Sequence, residues 1–413
     1  MRTLQLAWLL VGFLAALGRA QNQDFKIGGW TFDQTCEPYK TEVTKAIEDA
    51  LAMAEKAQTD LNDALGAFEM KKDNDKHKNQ FRIARAMGRC FGFMAKTTAE
   101  SKSDQYWESV FYTFDRMVPG LQGPDANVKF GHYEPLIICK DDVWVWLGPE
   151  DKDPTAPDMS DPNDDEVAKE QKEEANKMKK RHAKKFEEEG YAGAWYYKQR
   201  IAWRKTKENL RPGATCAKGG AAVTHHELDL IHICGSNFVE AKIKDAPSPV
   251  GATTTRGTTK ITSFDPNLAV TLVHEFAHWY GSENTGPDTK FVRDLIDQQA
   301  ISGKNELCYK KTSDGSRVCS KTKISKDERK KQGLVEDVVY GFKDVSNLAR
   351  IWNKKPGSKY GGPEKATMTA EAFSYFALMA ILDKDDWAND GIARTTKYRA
   401  MKDIPPVPSA LRV

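Results

Sequence analysis

The sequence predicts an α+β fold, mostly helical with a small sheet, built as one domain that carries charged insertions. Three observations predict it. Long stretches repeat apolar residues at helical spacing, short β-branched and aromatic runs separate them, and charge gathers in a few blocks. With 40% hydrophobic and 29% charged residues, the chain has enough apolar material for a packed core. Its mean hydropathy of −0.63 is low for 413 residues, as expected of a globular core with solvated inserts. At about 150 residues per domain the length allows two or three domains. Because the charge is concentrated locally, we read one domain over 21–400, with a charged insert at 148–190, a Lys-rich insert at 288–332 and a tail over 401–413.

In chain order, the first segment reads as a signal peptide. Arg2 precedes an apolar run from Leu4 to Leu17, and Gly18-Arg19-Ala20 supplies small residues for cleavage, so 1–20 should be removed on export. The expected location is secreted and extracellular. The chain holds 62 basic and 59 acidic side chains, and losing Arg2 and Arg19 leaves 60 against 59. Such a balance argues against nucleic acid as a partner, since bulk counterion release needs excess positive charge. No later segment approaches the roughly 18 apolar residues of a membrane span, so no membrane partner is expected. The composition leaves the oligomeric state open.

Glu37 to Leu65 predicts a long amphipathic helix, with Val43, Ile47, Leu51, Ala54 and Leu61 near helical spacing. A second helix is expected over Asn79 to Lys96, where Phe81, Ile83, Ala84, Met87, Phe91 and Met94 are apolar. Pro135 to Trp146 places β-branched and aromatic residues on either side of Lys-Asp-Asp and predicts a hairpin. The Pro/Asp-rich 148–166 and Lys/Glu-rich 170–189 stretches read as solvated helix or flexible insert. Strands are expected at Leu228 to Cys234, near Val239 and at Thr258 to Phe264, and the last third reads as mostly helical.

Seven cysteines in an exported chain are read first as disulfides, with one thiol left over. Cys308 and Cys319 enclose the turn Ser313-Asp314-Gly315 and are expected to pair; Cys216 with Cys234 is the next local pairing. No CxxC occurs, which argues against a thiolate zinc site.

The chemistry lies in Asp265 to Gly281 (DPNLAVTLVHEFAHWYG). Asp265 reads as an N-cap, Pro266 suits a first turn and Gly281 a terminus. Leu268, Val270, Leu272, Val273, Phe276 and Ala277 surround this helix, so it should be buried. Buried histidines and glutamate need partners or a ligand. His274 and His278, four residues apart, present both rings on one face, where two nitrogens reach one Zn²⁺ at about 2.0–2.1 Å. Glu275 stands beside the first ligand as a general base, completing HExxH. A third protein ligand is required. No histidine follows His278, and Asp288, Asp337 and Glu371 compete.

Here the chain resembles the deuterolysin-like aspzincin metalloendopeptidases, mostly secreted fungal enzymes. Their GTxDxxYG motif is echoed by Asp337-Val-Val-Tyr340-Gly341, without the Gly-Thr. Their later Asn-Ala-Asp-Ser-Tyr helix is echoed by Thr369-Ala-Glu371-Ala-Phe-Ser-Tyr-Phe-Ala377, and their Cys-led first helix by Cys36 through Leu65. The resemblance is patchy but spans roughly Cys36 to Leu382. It implies a zincin-like metallopeptidase domain and one Zn²⁺ held by His274, His278 and Asp337. It also implies Glu275 as base, Tyr340 as oxyanion donor, and protein or peptide substrates cut by endopeptidase action. A rival reading is a secreted zinc-scavenging or effector protein on a peptidase-like fold. The fungal zinc-scavenging relatives carry HRxxH, so the glutamate retained at 275 favours hydrolysis. His225-His226-Glu227 reads as structural, because adjacent strand residues point to opposite faces. Trp195-Tyr196-Tyr197 and Trp203 read as packing.

Overall fold

A computed structural model describes residues 23–64, 75–93, 105–140, 142–157, 163–206, 212, 216, 220–284, 291–350 and 360–396. The expected signal segment 1–20, the tail 401–413 and Asp288 lie outside these. Strands β1 (Phe25–Ile27) and β2 (Trp30–Phe32) form a hairpin, followed by a 3₁₀ turn over Gln34–Tyr39. Asp33 caps that turn by accepting from the Thr35 N–H at 2.8 Å. Helix α1 (Lys40–Ala64) then runs with Val43, Ala46, Ile47, Ala50, Met53, Ala57 and Leu61 buried, the face its periodicity predicts. It begins later than expected because Pro38 lies in the 3₁₀ turn and donates no backbone hydrogen bond.

Helix α2 (Asp75–Phe91) starts and ends earlier than expected. Gly92 stops it, with φ +78° and a virtual Cβ 2.1 Å from the Ala349 carbonyl oxygen, a place only glycine fits. Arg82 on α2 is 3% exposed, pairs with Asp60 of α1 at 2.8 Å and donates to the Met379 carbonyl at 2.9 Å. Helix α3 is Gln105–Gln122.

The hairpin expected over 135–146 does not form. Strand β3 (Leu136–Ile138) is buried throughout and pairs in parallel with β2, while β4 (Val145–Leu147) joins another sheet. A run apolar at consecutive positions suits a central strand with both faces covered, not one arm of a hairpin. The described residues of the following charged block are structured. The block holds helix α4 (Glu166–Ala175), with no buried residue, and is followed by strands β5 (Gly193–Tyr197) and β6 (Arg200–Arg204), which form an antiparallel sheet in the order β4-β5-β6. Buried Asp153 anchors it by accepting from Arg181 at 2.6 Å and contacting His182 Nε2 at 2.9 Å. Trp203 packs against His182, Phe186 and Tyr191, and Trp195 against Trp146.

Strands β7 (Ala222–His225) and β8 (Leu230–Ile233) complete a five-stranded sheet in the order β1-β2-β3-β8-β7, with β7 at an edge. The strand expected near Val239 is a single helical turn, Ser236–Val239, and Val239 is exposed. The one expected at 258–264 is largely irregular and ends in the 3₁₀ turn Ile261–Ser263.

Helix α5 (Leu268–Gly281) is capped by Asn267, which accepts from the Ala269 N–H at 2.9 Å, and not by Asp265. Asp265 instead accepts from the Tyr375 hydroxyl. Twelve of its fourteen residues are buried, and it packs against α1, α3, β7 and the last long helix. Trp30 packs against Phe276, Trp279 and Tyr280 of this helix, with Trp30 Nε1 donating to the Tyr280 hydroxyl at 2.9 Å. Arg116 of α3 donates to the Tyr280 and Ser282 carbonyls at 3.1 and 3.0 Å, satisfying acceptors that a helix end leaves open.

The last third is less helical than expected. After the short pair β9 (Glu283–Asn284) and β10 (Phe291–Arg293), β11 (Leu307–Lys311), β12 (Arg317–Ser320) and β13 (Leu334–Glu336) form a sheet with β11 central. Helix α6 (Lys326–Gln332) lies before β13, and α7 (Phe342–Ala349) and α8 (Ala370–Ile381) follow. The architecture is mixed α and β with small sheets, in agreement with the α+β expectation. Among the described residues no helix is long and apolar enough to cross a membrane.

Cys308–Cys319 and Cys216–Cys234 pair as expected, and Cys36–Cys139 ties the 3₁₀ turn before α1 to the end of β3. The seventh, Cys90, is a free thiol buried in α2, and burial pushes its pKa well up. Thiol titration of the unreduced protein should therefore detect no reactive cysteine in the folded state and one after denaturation. A readily titrating native thiol would contradict this packing.

Candidate metal centre

The four-residue spacing on α5 brings the His274 and His278 rings together, with their Nε2 atoms 3.1 Å apart. Asp297 Oδ1 lies 3.2 Å from His274 Nε2 and 3.3 Å from His278 Nε2. Four ligands at about 2.0–2.2 Å around a tetrahedral ion stand roughly 3.3 Å from one another, so the three atoms fit one small cation. Among the described residues this is the one group of three or more His, Cys, Asp or Glu side chains close enough to hold a metal.

The other ring nitrogens are held from behind. His274 Nδ1 donates to Glu371 Oε2 at 2.8 Å, and His278 Nδ1 donates to the Leu295 carbonyl at 2.6 Å. These bonds put the proton on Nδ1 of each ring and leave Nε2 lone pairs facing the centre. Burial by itself would lower both histidine pKa values, but Asp297 outweighs it and both are raised, with Glu371 adding to the effect on His274. For Asp297, burial works upward and the two imidazoles overcome it, holding the carboxyl far below its ordinary range. Two lone pairs and a carboxylate oxygen crowded this closely need positive charge between them, from protons or a metal.

The expected third ligand, Asp337, is not brought to the histidines. It is 1% exposed and paired with Lys310 at 3.2 Å and with Arg317. The reason lies in backbone pairing. Ala300 N–H donates to the Asp337 carbonyl at 2.7 Å, and Val339 N–H to the Gln298 carbonyl at 2.9 Å. The 337–339 segment thus runs beside 298–300, and the neighbouring segment, not the Asp-x-x-Tyr-Gly stretch itself, carries the carboxylate inward. Glu371, weighed as a ligand, supports His274 from the second layer. Its other oxygen accepts from the Gly341 N–H at 2.7 Å, at a residue with φ +85° that favours glycine.

Tyr340 does reach the centre. Its hydroxyl donates to Asp297 Oδ2 at 3.1 Å, and its ring stacks on His274 with centroids 6.1 Å apart. Glu275 is 5% exposed and accepts from Thr224 Oγ1 at 2.7 Å. A cavity of about 510 Å³ reaches the group at His274, lined also by Ala222, Asp265, Thr271, Glu275 and Tyr340 among others. His226 is placed as packing, stacked on Trp279 with Nε2 3.0 Å from the His278 carbonyl.

No protein-family model, curated protein or solved structure matches the chain. The reading of this centre therefore rests on its own geometry.

Sequence reasoning missed Asp297. It stands in Leu295-Ile296-Asp297 inside the Lys-rich segment, at no recognisable spacing from His278. Zinc analysis separates the two aspartates. Asp297→Ala should lose stoichiometric zinc, whereas Asp337→Ala should keep it and lose on the order of 1 kcal/mol of stability with its ion pairs to partly exposed cations. Full zinc retention in Asp297→Ala would remove it from the ligand set.

Proposed function

We propose that this chain is a zinc-dependent endopeptidase with a zincin-like site, a divergent relative of the aspzincins it resembles. The observation that carries the reading is the convergence of His274, His278 and Asp297, with Glu275 beside them on the wall of an open cavity. A histidine pair plus an aspartate keeps the aspzincin ligand chemistry, although the aspartate comes from a different segment than the motif implies. The donor set of two imidazoles and one carboxylate suits zinc, and leaves a coordination position open to substrate or water. Bound zinc would supply Lewis acidity, lowering the pKa of water towards ~7 and polarising a carbonyl.

The chain's own groups do the remaining work. Glu275 accepts the proton of the attacking water and passes it to the leaving amine. Glu371 and the Leu295 carbonyl hold the two rings in one tautomer and orientation. Tyr340, now bonded to Asp297, has its hydroxyl at the rim of the centre and can donate to the oxygen that gains charge. Three disulfides and the lack of a membrane-crossing helix among the described residues support extracellular action on protein or peptide substrates.

The test compares wild type with Glu275→Ala on a denatured protein substrate, with and without chelator. Glu275→Ala should retain zinc and lose activity by about 10²–10⁴-fold, the usual contribution of a general base. Chelation should abolish wild-type activity, and added zinc should restore it. Equal activity in the two proteins would sink the peptidase reading and leave zinc binding without proteolysis.

A further inference from the structure

We propose that Thr224 is a positioning residue that holds the Glu275 carboxylate for proton transfer, an inference that rests on the hydrolytic reading above. Thr224 lies on β7, the strand at the edge of the five-stranded sheet beside α5. Side chains alternate along a strand, so Ala222 and Thr224 share one face and Val223 and His225 the other. Ala222 lines the cavity, and Thr224 reaches Glu275. Its Oγ1 is 2.7 Å from Glu275 Oε2 and 3.2 Å from the Glu275 carbonyl oxygen. One hydroxyl has one proton, and the shorter, charged contact takes it.

This is the one hydrogen bond that the Glu275 side chain receives among the described residues. Glutamate side chains are flexible, and a carboxylate that swings between rotamers is a poor base for a water held elsewhere. Binding Oε2 to Thr224 leaves Oε1 free for the proton. The donor itself is stiff, because a β-branched side chain has a restricted χ1. Its strand is stiff as well. Thr224 stands opposite Ile231 in the β7–β8 register. The Ala221 carbonyl at the start of β7 accepts from the Cys234 N–H at 2.8 Å and from Asn237 Nδ2 at 2.6 Å. The Cys216–Cys234 disulfide fastens Cys216, which precedes β7 in the chain, to the residue that follows β8.

The decisive variant is Thr224→Val, which keeps the branched shape and removes the hydroxyl, with Thr224→Ser as the conservative control. In the Val variant kcat should fall about tenfold to a hundredfold, as expected for a lost hydrogen bond to a charged group. KM and zinc content should stay at wild-type levels, and Thr224→Ser should recover kcat to within about threefold. Metal-free crystals give a readout independent of activity: the Glu275 carboxylate should leave its wild-type position in the Val variant and keep it in the Ser variant. An unmoved carboxylate or an unchanged kcat in Thr224→Val would overturn the assignment. So would parallel loss of zinc and activity in both variants, the mark of a purely structural threonine. Should wild type show no Glu275-dependent hydrolysis, the peptidase reading fails by itself, and the crystal comparison still decides whether Thr224 holds the carboxylate.

Discussion

Helix α5 is buried on nearly every side, so the two imidazoles and the carboxylate it carries must find partners inside the protein. Everything around the centre answers that requirement. His274 turns one nitrogen to Glu371, His278 turns one to the Leu295 carbonyl, and Glu275 receives Thr224. Each partner comes from a different part of the chain: helix α8, the segment before Asp297, and the edge strand β7. The apolar remainder of the helix locks against α1, α3 and α8, and that packing sets the distances at which these partners meet it. A shift of α5 would disturb every contact at once.

The third corner of the centre depends on a strap rather than a helix. Residues 298–301 are held on both sides, by Cys308 and Leu307 of β11 and by Asp337 and Val339 after β13. The Cys308–Cys319 disulfide staples that hairpin, and the Asp337 ion pairs with Lys310 and Arg317 fasten the other edge to it. Asp297 and Tyr340 emerge side by side from this strap, while Glu371 ties the next residue, Gly341, back to His274. A closed circuit of contacts results, from His274 through Glu371 and Gly341 to Tyr340, then Asp297, and back to His274. Such a network is costly if half satisfied and rigid when complete.

The charged block at 148–190 shows how composition can mislead about order. Its Lys and Glu content reads as solvated, and α4 is indeed without buried residues. Yet Asp153 is wholly buried, and the β4–β5–β6 sheet joins the block to the main body, where Tyr197 donates to Asp33 at 2.7 Å. A single buried carboxylate held by Arg181 and His182 organises a segment whose average character is exposed.

What could be read from residues alone is local. The i, i+4 geometry of one helix brings His274 and His278 together whatever surrounds it, and the apolar spacing of α1 announces its buried face. The pairs Cys308–Cys319 and Cys216–Cys234 are also close along the chain, and both were legible. The β3 and β4 runs were legible as strands but not as members of different sheets, since partner choice is not written in either run. Asp297 and Thr224 were beyond reach, and Glu371 was legible only as a competing ligand, not as the partner of His274 Nδ1. Only long-range strand pairing and helix packing set all three beside α5, and nothing in the residues next to Asp297 or Thr224 distinguishes them from other carboxylates and hydroxyls. Asp337 stands in the more motif-like sequence, but the backbone pairing of 298–300 with 337–339 turned it towards Arg317 and gave the centre to Asp297.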